Sequence, residues 1–348
     1  MAGLMERLGL ALPLIQAPMG GGFTPPAFVA AVSEAGALGS LGAPYLQPEA
    51  IVEAAAEIRK RTSRPFGVNL FTFDMPVASD AEIGRTIDLL APYCEELGID
   101  PPEFEDSPHP DIDAQIEAVL EIRPAVFSFT LGMPSPEVLT EMRRRDIFTI
   151  GTATTLKEAL TLEAAGVDAI CAQGSEAGGH RGTFLGPWQE GLIGLAPLVS
   201  ILKARLKTPV IAAGGLMTGA HCAAVLKLGA EAAQLGTAFM TCLEAGTPAP
   251  HRAAILSEAA ERTAITLAFS GAPARGMVNR YMIEMGRRAD ALAPFPITNA
   301  LTRDLRGAAA KANRPELMSL WAGQGAPLAR VMPAAALIEA LKAEMEAA

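Results

Sequence analysis

The chain has 348 residues, half of them hydrophobic and 19% charged, with a formal net charge of −10. That length holds one large domain or two ordinary ones, and the apolar fraction supplies a sizeable buried core. The acidic balance, with a pI near 5.1, argues against a nucleic-acid surface, and the basic run Arg143–Arg145 closes a predicted helix, where cations suit the dipole.

In chain order, the opening stretch MAGLMERLGLALPL contains Glu6 and Arg7 and no continuous apolar core. It does not read as a secretory signal, and a cytoplasmic protein is expected. Short apolar runs then alternate with Ala/Leu/Glu/Lys stretches of helical character, the rhythm of parallel strands covered by helices. Strands are predicted at Pro13–Ala17, Ala37–Leu41, Pro65–Leu70, Ala125–Phe129, Ile147–Gly151, Ala169–Gln173, Pro209–Ala213 and Ala232–Leu235. Helices are predicted at 26–35, 48–61, 111–121, 135–145, 155–165, 194–206, 219–228 and 330–346. Eight strands are what an α/β (β/α)8 TIM barrel requires, in about 250 residues. The barrel is assigned to residues 1–244, with a proline- and acid-rich excursion at 74–110. Residues 245–330 are read as a smaller helical cap or substrate domain and 331–348 as a C-terminal helix. The uncharged stretch 208–226 is broken by Pro209 and the Gly214-Gly215 pair. It reads as a buried strand–turn–helix rather than a membrane span. Cys94, Cys171, Cys222 and Cys242 lack metal-ligand or C-x-x-C spacing, so free thiols and no metal are expected.

Glycines gather at the strand exits, the face of a barrel that carries the active site. Strand seven ends in AAGGLMTG and strand eight in AQLGTAFM. Gly214 and Gly215 let backbone N–H groups approach an anion, and a helix starting near Thr218 adds a dipole end. Gly236 and Thr237 can do the same, the hydroxyl being a further donor. The alternative for each loop alone is tight packing at a helix entry. Together they point to phosphate, which barrels bind after strands seven and eight.

The segment CAQGSEAGGHRG, residues 171–182, holds the candidate chemistry. Gln173 offers a donor and an acceptor to a heterocycle edge such as an isoalloxazine ring. Gly178 and Gly179 permit a backbone path along a planar ligand and put His180 on a flexible loop. A histidine titrates near neutrality and can take a proton from carbon or donate to an oxyanion. His109, His221 and His251 read as structural or solvated. Glu176 either orients His180 or caps the following loop, and Arg181 reads as a surface or inter-loop ion pair. Pro18, Met19 and Gly20 end strand one. Asn69, polar within an apolar strand, needs a hydrogen-bond partner, either a ligand or a neighbouring loop. There is no G-x-S-x-G or H-E-x-x-H, so hydrolase and metal-enzyme readings have no support.

At these residues the sequence resembles the class I nitronate monooxygenases, formerly 2-nitropropane dioxygenases. The matching segments are PLIQAPMGG (13–21), PFGVNLF (65–71), AQGSEAGGHRG (172–182), PVIAAGGLMTG (209–219), AAQLGTAFM (232–240), SGAPARGMVNR (270–280) and LWAGQG (320–325). The resemblance implies a barrel holding non-covalent FMN, with contacts at Pro18–Gly20, Asn69, Gln173, Gly178, Gly215 and Gln234–Thr237. It implies oxidation of alkyl nitronates, of the propionate 3-nitronate type, or of nitroalkanes by O2 to a carbonyl compound plus nitrite or nitrate. His180 takes the place of the family's catalytic histidine. The chain departs from the family at Ala272, where Arg is common, at Thr130, where some members have His, and at Ile297 and Leu301, where some have Tyr and Lys. A small-molecule substrate and O2 are thus the expected partners, with no nucleic acid or membrane, in a monomer or homodimer. Two alternatives remain. One is an FMN-dependent NAD(P)H reductase, of the enoyl-ACP or quinone type; the other is a flavin-binding barrel without turnover.

Overall fold

In a computed structural model of the chain, residues 3–104 and 108–348 are described; the part of the excursion at 105–107 lies outside them. The eight apolar runs are strands: β1 (Leu14–Gln16), β2 (Gly39–Gly42), β3 (Phe66–Phe71), β4 (Val126–Thr130), β5 (Phe148–Ala153), β6 (Ala169–Gln173), β7 (Val210–Ala213) and β8 (Ala232–Leu235). Neighbours in sequence pair in parallel from β2 round to β8, and β8 pairs with β1 through Leu14↔Ala233, Ile15↔Gln234 and Gln16↔Leu235. The ring closes on β2, which makes the fold an α/β barrel.

That closure is thin. β1 and β2 share one bridge, Ile15↔Leu38, with Gln16 N–H donating to Leu38 C=O at 2.9 Å and Leu38 N–H to Leu14 C=O at 2.9 Å. The fully buried side chain of Gln16 extends the seam. Its Nε2 donates to Ser40 C=O (3.2 Å) while its Oε1 accepts from Ser40 N–H (2.9 Å). A buried amide is tolerated there because both of its ends are bonded.

Helices Pro26–Glu34, Pro48–Arg59, Ile112–Ile122, Pro136–Arg144, Leu156–Ala165, Leu195–Arg205 and Gly219–Lys227 follow their strands, and Ala334–Glu346 closes the ring. One large apolar cluster joins these helices to the strands, from Leu14 and Phe28 to Leu341. The uncharged stretch at 208–226 is β7 and the start of the next helix. No helix among the described residues is long and apolar enough to cross a membrane.

The excursion is not merely loop. It carries the 18-residue helix Asp80–Leu97, opened by a capping box in which Ser79 and Glu82 satisfy each other's backbone N–H. Ile83, Leu90 and Cys94 on that helix belong to a second apolar cluster with Phe269, Tyr281, Ile297, Leu301 and Leu317. Residues 245–330, expected to be helical, also contain the strands Thr263–Thr266 and Ala274–Met277. These form an antiparallel sheet whose third member is Gly179–His180.

Candidate functional site

At the strand exits lies an open-mouthed cavity with about 1230 Å³ of empty space, the solvent at its mouth included. Pro18, Met19, Gly20, Asn69, Gln173, Gly178, Gly179, His180, Gly214, Gly215, Gln234, Gly236 and Thr237 all line it. Five chain segments remote in sequence thus converge on one space. Trp321, Gly323 and Gly325, from the matching segment LWAGQG, line it too, as do Tyr45 and Phe71. No periodicity marks Trp321 or Tyr45 as site residues; they arrive there through the tertiary fold.

His180 is not on a flexible loop. Its backbone pairs with Ala274, and Arg181 N–H donates to Pro273 C=O at 2.8 Å. Strand pairing was invisible in the sequence because its partner lies some ninety positions away. Three rings surround the imidazole: Phe71, Phe295 and Trp321, with centroids at 5.7, 5.4 and 5.9 Å. Burial among them, helped by the Arg306 charge, pushes the imidazole pKa down to about 4, so the ring is neutral at pH 7.

Its Nε2 lies 3.0 Å from Ser270 Oγ. That hydroxyl also donates to Ala272 C=O (3.1 Å) and accepts from Ala272 N–H (3.3 Å). A hydroxyl has one proton. With that proton on the Ala272 carbonyl, Ser270 accepts from His180 Nε2–H, and Nδ1 is left unprotonated to act as a base. Ala272 is buried and contributes through its backbone.

Gln173 faces the cavity, yet its amide is largely committed to the chain. Nε2 donates to His180 C=O at 3.0 Å, and Oε1 accepts from Gly182 N–H at 2.8 Å. Its first role is to pin the histidine segment. Arg181 corrects its expected place at the surface: it is 1% exposed. Its guanidinium donates to the carbonyls of Gly174 (2.7 Å), Gln173 (2.9 Å) and Gly191 (3.1 Å). Burial lowers its pKa to about 10, and it remains cationic at neutral pH. Glu176 neither touches His180 nor caps its own loop. It accepts Leu195 N–H with both carboxylate oxygens at 3.0 Å, capping the helix Leu195–Arg205.

The other histidines have structural partners. His251 Nε2 is 3.0 Å from Trp321 C=O, His221 Nδ1 accepts Met217 N–H, and His109 packs edge-on against Phe73. Of the four family departures, Thr130 alone lines the cavity. Ile297 and Leu301 are buried in the second apolar cluster.

Polar groups suited to a flavin are present. Asn69 Nδ2 donates to Ser128 Oγ at 3.0 Å and Gln234 Nε2 to Cys171 Sγ at 3.4 Å. The amide oxygens of both accept no bond among the described residues. Gly215 has φ +68°, where a Cβ would crowd Glu176 at 3.0 Å, so glycine is required for its amide to turn inward. A Cβ on Gly178 would strike Ala322 and Gly323 at 2.5 Å, which keeps this wall flat. Thr237 Oγ1 accepts Gly323 N–H at 3.0 Å and keeps its proton for an anion. The helix end near Thr218 is not part of that cradle. Glu344 Oε2 accepts Gly219 N–H at 2.7 Å and the Thr218 hydroxyl accepts His221 N–H. The C-terminal helix therefore takes up the first amide of this helix.

The chain matches the family model described as nitronate monooxygenase over residues 3–344. It is 41% identical to a nitronate monooxygenase of Paraburkholderia phytofirmans, covering 99% of this chain and 94% of the relative. It is 38% identical to a probable nitronate monooxygenase of Staphylococcus aureus strain Newman, covering 95% and 93%. Among solved structures it resembles nitroalkane oxidase from Streptomyces ansochromogenes, with a TM-score of 0.91, 42% identity and coverage of 97% and 96%. FabK from Thermotoga maritima is more distant, with a TM-score of 0.76, 26% identity and coverage of 100% and 97%.

Proposed function

The chain belongs to the nitronate monooxygenase family, and from that premise we propose that it oxidises alkyl nitronates or nitroalkanes with O2, using FMN held in the barrel mouth. The observation that carries the reading is the neutral, ring-enclosed His180 facing a cavity whose strand-seven and strand-eight exits offer an anion cradle.

FMN, when bound, supplies the redox chemistry between substrate and O2. Gly215, Gly236 and Thr237 would hold its phosphate. Asn69 and Gln234 would meet the polar edge of the ring, and Pro18–Gly20 and Gly178–Gly179 would flank it. Gln173 would set His180 and present its remaining N–H. His180 Nδ1 takes the proton from the carbon next to the nitro group of a neutral nitroalkane. For a nitronate supplied as the anion, the other tautomer would serve: with Ser270 turned to donate to Nε2, Nδ1–H would face the nitro oxygens. The aromatic enclosure excludes water from the reacting carbon. Products are a carbonyl compound with nitrite or nitrate.

The expected visible spectrum of the purified protein is that of oxidised flavin, and an oxygen electrode should record consumption on addition of a nitronate. His180→Asn should keep the flavin spectrum and lose about 100-fold or more of its kcat/KM on neutral nitroalkane. Unchanged turnover in that variant would refute the base assignment. The likeness to FabK sustains one rival, an NAD(P)H-dependent reductase. Anaerobic NADH or NADPH would bleach the flavin rapidly in that case and leave it oxidised in ours.

A further inference from the structure

None of the side chains lining the cavity among the described residues is Asp, Glu, Lys or Arg. The undescribed residues Met1, Ala2, Glu105, Asp106 and Ser107 include no cationic side chain either. What lies against His180 is aromatic: Phe71, Phe295 and Trp321. Tyr45 packs edge-on against Phe71 at 5.7 Å, and its phenol stays protonated at neutral pH because burial pushes its pKa up to about 12.

The cation that acts on both His180 and Tyr45 is Arg306, and Arg303 acts on Tyr45 as well. Arg306 is not a lining residue, and its Nε and Nη2 are engaged while Nη1 makes no bond among the described residues. Nε donates to Thr302 C=O and Oγ1 at 3.2 and 3.1 Å, and Nη2 to Asn299 C=O and Oδ1 at 2.8 and 3.2 Å. Arg306 thus contributes positive potential through the wall without a contact pair. One anionic group beside His180 gains from that potential. A second anionic group on the same substrate has to leave water for a surface of rings, methionines, glycines and uncharged amides and hydroxyls, with no counter-ion among the lining residues to meet it.

We infer that the site selects nitronates bearing a single negative charge and an apolar substituent, and discriminates against those that carry a carboxylate as well. This rests on the nitronate-oxidising reading above. It reverses the substrate preference implied by the family resemblance, since propionate 3-nitronate carries that second charge. Thr130, which lines the cavity, adds only a hydroxyl, unpartnered among the described residues.

The test uses the flavin-loaded full chain and three nitronates of similar length: butyl nitronate, propionate 3-nitronate, and the nitronate of methyl 3-nitropropionate. The ester has the shape of the acid without its charge. Butyl and ester nitronates should agree in kcat/KM within about tenfold, with the acid roughly 100-fold lower. An acid turned over as well as its ester would overturn the inference and leave the nitronate-oxidising reading standing. A second readout needs no turnover. Butyrate and succinate are unreactive carboxylates that put one or two charges in the same space. Butyrate should perturb the flavin absorption at concentrations about tenfold or more below those succinate requires, and equal affinity would overturn the inference. Lack of oxygen consumption with all three nitronates would sink the parent reading, while the carboxylate titration would still decide the charge preference.

Discussion

The imidazole of His180 is set by two contacts of different kinds, and they separate experimentally. The rings of Phe71, Phe295 and Trp321 hold it neutral, whereas Ser270 selects which nitrogen carries the proton. Ser270→Ala should leave flavin binding intact and lower kcat/KM on a neutral nitroalkane by about tenfold, equivalent to about 1.4 kcal/mol, the size of one hydrogen bond. Turnover of preformed nitronate, which needs no proton removed from carbon, should fall less. Ser270→Thr should restore most of the loss. Equal losses on both substrates would show that Ser270 supports the fold rather than the tautomer. His180 was legible from its glycine-rich surroundings and the family resemblance. Ser270 was legible as part of SGAPARG but not as its partner, because nothing local ties residues so far apart.

Among the elements, the helix Gly219–Lys227 shows how a local signal for an anion site can be met within the chain. Its glycine-rich entry has the composition of an anion site, but its first amide is bonded to Glu344 on the helix Ala334–Glu346, which also pairs with Arg330. The phosphate of the proposed FMN would then lie against the Gly215 and Gly236–Thr237 backbone. Glu344→Gln should therefore cost about 1 kcal/mol in stability, from the weakened cap and lost ion pair, and leave the FMN dissociation constant unchanged. Fluorescence titration of apoprotein with FMN measures the second quantity. A change of more than about threefold would return the phosphate to this helix. The helix Asp80–Leu97 is the opposite case. Its signal, Ser79 and Glu82 ahead of Ile83, Leu90 and Cys94, is readable as a capping box before an apolar stripe, but it was masked by the acidic and proline-rich residues around it.

For the molecule as a whole, buried histidines tie stability to pH. Burial lowers the pKa of His180 and His251 to about 4 and that of His109 to below its ordinary value. A group whose folded pKa is below its unfolded value, about 6.5, binds its proton more readily once unfolded. Stability from such a group is present above the unfolded pKa and is lost as pH falls toward the folded one. Between pH 7 and pH 5 the melting temperature should drop, with about 1–2 kcal/mol of unfolding free energy lost for the fully buried His251 alone. His251→Gln, which can still donate to the Trp321 carbonyl, should flatten that slope. A wild-type midpoint that does not change over this range would contradict the burial of these rings.

The barrel itself follows from the sequence, since apolar runs of strand length alternating with amphipathic stretches allow few other ways to bury both faces of a parallel sheet. All eight strands fall within a few residues of their predicted places, and every residue expected in the site lines one cavity. Such features are local: a strand exit is marked by its own glycine, and a parallel barrel sends all its exits to one face. Tertiary structure alone decided what those residues touch. It buried Arg181 on three carbonyls, gave the amide of Gln173 to the histidine segment, closed the β1–β2 seam through Gln16, and surrounded His180 with rings from three distant segments. Each depends on through-space pairing between positions whose separation along the chain carries no periodic signal. The inferred substrate preference would belong to this second group, because it rests on which charged side chains do not line the cavity.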